Sequence, residues 1–152
     1  MGQEDSWEKL AVTGESDWRE ERYRQAEVAL GRASDLALAA LDLSLLPRYS
    51  TGYPLPTSLK DPAEGLDIKW LSRLARVLAL LGSCRHHIGE ISSAETAFQR
   101  SMVVLVYLIE RRVSDSVGEI DAFADLLRQC GRADLAQAVS ERMTAKVLEI
   151  LG

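Results

Sequence analysis

With 152 residues, a net charge of −5 and a pI near 5.1, the chain is one domain's worth of sequence. It lacks the clustered Lys and Arg that binding to a phosphate backbone requires, so nucleic acid is excluded as a partner. Hydrophobic residues make up 47% but aromatic residues only 6%, so the core must be Leu, Ala, Val and Ile, which favours closely packed helices. The longest apolar run, Met102–Ile109, falls far short of the ~20 residues of a membrane span. The acidic start Gly2–Trp7 carries no signal segment, so a cytoplasmic location is expected.

The first predicted element opens with Ser6 as an N-cap before Trp7, and the chain turns near Glu20–Arg22. A second helix then carries Tyr23, Ala26, Ala29, Leu30, Ala33, Leu36 and Ala37 at helical spacing and continues to Leu46. Together they form a helical hairpin over residues 6–46. Pro47 stops it, and the prolines Pro47, Pro54, Pro56 and Pro62 mark a loop over 47–65 that contains Tyr49 and Tyr53. The segment from 47 to 61 reads either as a lid that meets a partner or as a linker whose tyrosines fold back onto the helices. Asp61-Pro62-Ala63-Glu64 then combines an N-cap, a proline at the first helical position and a capping-box acid.

A second hairpin spans 66–112. Its first helix carries Trp70, Leu71, Leu74, Val77, Leu78 and Leu81; after a tight turn at Gly89 its second stays apolar as far as Ile109, as a helix buried on both sides does. A third spans 117–151, with Ala122–Leu127, a turn at Gly131-Arg132, and then Ala133, Ala136, Val139, Met143 and Val147. The hairpins repeat one another. Gly14, Tyr23, Ala26, Leu30 and Ala33 recur at one constant offset as Gly82, Ile91, Ala94, Phe98 and Ser101, and Gly131 answers Gly89 in the third hairpin. Gly82, Ala94 and Ala136 are small enough to let helices cross closely. Ser140 takes the place matching Phe98, which suits a terminal unit whose outer face meets solvent.

The run Leu81-Gly82 followed by Gly89, Ile91, Ala94, Phe98 and Ser101 resembles the tetratricopeptide repeat, two antiparallel helices that stack on their neighbours. The resemblance implies an all-α fold, a solenoid of about three antiparallel hairpins with six to seven helices, in a single domain over 1–152. It also implies a non-catalytic protein-interaction module, an adaptor or assembly factor that holds a peptide or amphipathic helix on a concave groove. In that family the groove is lined by the first helices of the hairpins. Carried over by spacing, the groove residues are Glu15, Arg19, Arg76, Leu80, Ser83, His86, His87, Asp121, Asp125 and Arg128. Their cations point to a partner segment that is apolar with acidic residues. The clamp of Lys, Asn and Arg by which some repeats grip acidic C-terminal tails is missing, since those places hold Ala11, Glu15, Leu80, Gly118 and Ala122.

Two other classes compete. Small, acidic, three-repeat chaperones of bacterial secretion translocators share a segment similar to Leu81-Gly82-Ser83-Cys84-Arg85, although the long offset across the proline loop departs from their compact spacing. An enzyme or metal protein would rest on Cys84 and His87, three apart on one helix. There is no glycine-rich phosphate loop, no nucleophile elbow and no third or fourth metal ligand, so no catalysis, cofactor or metal is expected. Whether the chain forms homo- or hetero-oligomers stays open.

Overall fold

The computed structural model describes residues 3–40 and 68–152, and the loop expected over 47–65 lies outside them. The described residues are all-α: α1 Gln3–Arg19, α2 Tyr23–Ala40, α3 Ile68–His87, α4 Ile91–Gln129 and α5 Ala133–Leu151. Consecutive helices pack on each other, α1 also touches α3, and among the described residues α5 packs on α4 alone. One continuous core of Leu, Ala, Val and Ile runs from Trp7 in α1 to Val139 in α5.

Three turns share one construction. Glu21, Gly89 and Gly131 have φ of 64°, 88° and 80°, the left-handed region that closes a helix. Each is followed by a residue whose amide reaches five residues back: Arg22 to Asp17, Glu90 to Arg85 and Arg132 to Leu127, all at 2.8 Å. These bonds satisfy orphan carbonyls at the ends of α1, α3 and α4. The intervals between the three turns are the same offsets that relate the apolar patterns of the hairpins.

The packing repeats too. A Cβ built on Gly82 would stand 2.8 Å from the Phe98 ring, and one on Gly14 would stand 2.5 Å from Leu30. In both hairpins a glycine on the first helix makes room for the large side chain of the second. Ala94 and Ala136, 2% and 0% exposed, occupy matching places early in α4 and α5.

The break expected between 112 and 117 is not a coil. Helical backbone runs without interruption from Ile91 to Gln129. Nevertheless α4 is not straight. Its 39 residues would extend about 58 Å as one rod. Arg132, just past its end, donates to Glu95 near its start at 2.7 Å and places its guanidinium 4.8 Å from the Phe98 ring centre. Farther along, Arg142 and Lys146 of α5 reach Glu110 at 3.1 and 3.5 Å. The axis of α4 therefore doubles back beyond Glu110. Its second half then runs antiparallel to its first, and α5 runs parallel to that first half.

Candidate functional site

Helix α1 is tied to α3 by polar contacts along its length. Arg73 donates to Glu8 at 3.0 Å, and the Trp18 indole donates to the Ser83 hydroxyl at 3.0 Å. Between them Arg76 donates through two nitrogens to Glu15 at 2.7 and 2.6 Å, while Arg19 donates to the same carboxylate at 2.7 Å. The hydrogen bond from Arg76, assisted by Arg19, outweighs burial and holds the Glu15 carboxyl below its usual range. The end of α4 also approaches α3, and Cys130 lies near Ser83.

An open cleft of about 320 Å³ forms where the first helices of the three hairpins end. Trp18, Arg19, Glu21 and Tyr23 line it from the first hairpin, Ser83 and His87 from α3, and Gln129 from α4. The His87 imidazole stacks on the Tyr23 ring, centroids 4.0 Å apart and planes 8° from parallel. Arg19, His87 and Gln129 are the last residues of α1, α3 and α4, and they occupy matching positions in the repeat.

The structure sorts the groove residues expected from spacing. Glu15, Arg19 and Arg76 come together in one ion-paired cluster. His86 and His87 are exposed side by side at the end of α3. Asp121, Asp125 and Arg128 are exposed on the second half of α4, where Arg128 pairs with Asp125 at 2.7 Å. Leu80 requires correction. At 1% exposure it belongs to the core and offers no surface to a partner. Its offset-equivalents Val12 and Ala122 are exposed, whereas α3 is packed by α1, α2 and α4 and Leu80 is buried among them. Ser83 is also 2% exposed, so its hydroxyl reaches only the cleft floor.

Sequence spacing missed Trp18, Tyr23 and Gln129. Gln129 was reachable, because it stands at the repeat offset from His87; the Tyr23–His87 stack joins two different hairpins and carries no local signal. The charge pattern also differs from expectation. Arg73, Arg76, Arg19 and Arg128 all sit in ion pairs with carboxylates of the same surface, so the face is not a positive strip.

Cys84 and His87 diverge. The Cys84 side chain is fully buried, its thiol pushed up to about 12 chiefly by desolvation, while His87 is exposed on Tyr23. Burial likewise pushes the Cys130 thiol up to about 11. A thiol must ionise to attack or to ligate, so neither is poised for it. Among the described residues, no three His, Cys, Asp or Glu converge as metal ligands, and no helix is long and apolar enough to cross a membrane. Comparison with family models, with curated proteins and with solved structures finds no match for this chain.

Proposed function

We propose that the protein is a non-catalytic, tetratricopeptide-like interaction module that binds a peptide or amphipathic helix along the face formed by α1, α3 and the second half of α4. The observation that carries this reading is the convergence of Arg19, His87 and Gln129, the ends of three repeated first helices, on one open cleft beside Trp18 and Tyr23. Aromatic rings with a few polar groups in a depression offer apolar contact and fixed hydrogen bonds to a side chain of a bound segment. Because the arginines of this face are already paired, the segment it suits carries mixed charge around an apolar anchor, rather than the apolar segment with acidic residues expected from the groove cations.

The test is to identify the partner by co-purification from the native host and to map its bound segment. Affinities of His87→Glu and Gln129→Glu would then be compared by calorimetry with that of Val28→Glu on the outer side of α2, where Val28 is 61% exposed. Loss of roughly tenfold or more at the cleft, about 1.4 kcal/mol, with Val28→Glu unaffected supports the reading. Loss at Val28 alone moves the site to the opposite face.

A further inference from the structure

The turn that closes α1 is the exception among the three. Its left-handed position holds Glu21, at φ 64°, where Gly89 and Gly131 hold the same place after α3 and α4. Glutamate is not one of the short polar residues that tolerate this region, so glycine would close the turn with less strain. The Glu21 side chain gives the fold nothing in return. It is exposed and makes no hydrogen bond or ion pair among the described residues, while the neighbouring Arg22 is held by Asp17 and Glu20. A strained residue that serves no contact within the fold points to a use outside it.

Its surroundings define what meets it. Glu21 stands on the open cleft with Trp18, Tyr23 and His87. Of the carboxylate and guanidinium on that lining, Arg19 is held by Glu15 at 2.7 Å, and Glu21 is the one left without a counter-ion. Burial first, and then the Glu21 charge, pushes the Tyr23 phenol up, so the field of this carboxylate reaches the aromatic wall. That wall suits the long apolar stem of a basic side chain whose head meets a carboxylate.

We propose, on the peptide-binding reading above, that Glu21 sets the specificity of the cleft by pairing with a Lys or Arg beside the apolar anchor of the bound segment. An acidic residue at that place in the segment would meet a like charge and be rejected. Glycine at position 21, as in the other two turns, would accept either sign. The strain at this turn is thus exchanged for discrimination.

Selection of a random peptide library on the full chain, and on Glu21→Gly, Glu21→Lys and His87→Glu, tests this. Peptides selected on wild type are expected to carry Lys or Arg beside an apolar residue. On Glu21→Gly the apolar residue should stay and the basic preference vanish; on Glu21→Lys the preference should turn to Asp or Glu. By calorimetry the strongest wild-type peptide should bind Glu21→Gly about two- to fivefold more weakly, the scale of an exposed ion pair. Because Glu21→Gly relieves strain, it should melt no lower than wild type, so unfolding cannot mimic that loss. Selected peptides without a basic preference, or a basic preference that survives Glu21→Gly, overturn the proposal and leave peptide binding standing. If no peptide is enriched on wild type over His87→Glu, peptide binding at the cleft fails, and this specificity fails with it.

Discussion

The Phe98 ring lies over Gly82 so closely that a Cβ there would stand 2.8 Å from it. The ring is buried at 2% exposure, so the added methyl has to displace packed neighbours. Gly82→Ala is therefore expected to destabilise the fold by about 1–3 kcal/mol through overpacking. Gly118, also helical, has nothing within 4 Å of its would-be Cβ. Gly118→Ala should stabilise by about 0.5–1 kcal/mol through helix propensity alone. Urea unfolding of both variants checks the pair, and equal effects would remove the close crossing from the account.

The three turns differ in one residue. Glu21 holds a left-handed φ of 64° where Gly89 and Gly131 stand in the other hairpins. A side chain in that region costs on the order of 1 kcal/mol, a strain glycine does not carry. Glu21→Gly should raise the melting temperature by about 2–4 °C, while Gly89→Ala and Gly131→Ala should lower it by a similar amount. Calorimetric melts of the three variants read this directly.

Glu15 predicts a pH dependence. Its carboxyl is held below the ordinary value of 4.5 by the Arg76 hydrogen bond, against the desolvation that opposes it, with Arg19 adding to the shift. A carboxylate with a depressed folded pKa contributes stability that is present above its unfolded value and lost as pH falls through the folded one. Glu15→Gln should therefore cost about 1 kcal/mol at pH 7, a figure kept small because the cluster is partly exposed. The gap between variant and wild type should close as pH drops below 4.5. A gap independent of pH would mean that Glu15 acts by packing alone.

How far the fold can be read from the chain depends on whether the deciding contact is local or set by repetition. Gly14 with Leu30 and Gly82 with Phe98 stand at matching offsets in the sequence, and the structure packs each pair the same way. The turns at Glu21, Gly89 and Gly131 are local, and helical spacing locates them. The passage between 112 and 117 misleads because a change of direction ordinarily needs a coil, whereas helical backbone continues through it here. Leu80 misleads because spacing places a residue on a flank but not beside a neighbour; the same flank is open at Val12 and Ala122 and covered at Leu80. Contacts such as Arg76–Glu15 and Trp18–Ser83 join residues 61 and 65 apart, and no periodicity encodes them.

Arg132 links the two halves of this picture. It donates to Glu95 and Asp134 and covers the Phe98 ring, so it clasps the start of α5 to the start of α4. Removing it in Arg132→Ala should cost about 1–2 kcal/mol, of which the ring contact supplies a share that salt screens less than the exposed ion pairs. Unfolding measured at low and high salt separates the two contributions.

The cleft exists only if α4 doubles back, because a straight helix would carry Gln129 far from His87. Spin labels placed by bio-orthogonal chemistry at Ser93 and Ala133, both exposed, measure this by pulsed dipolar spectroscopy. The Glu95–Arg132 contact at 2.7 Å requires a label separation below roughly 25 Å, whereas a straight run over those positions would give about 60 Å. A short, narrow distance distribution is the result this account predicts; a distribution centred near the length of the straight rod would contradict it.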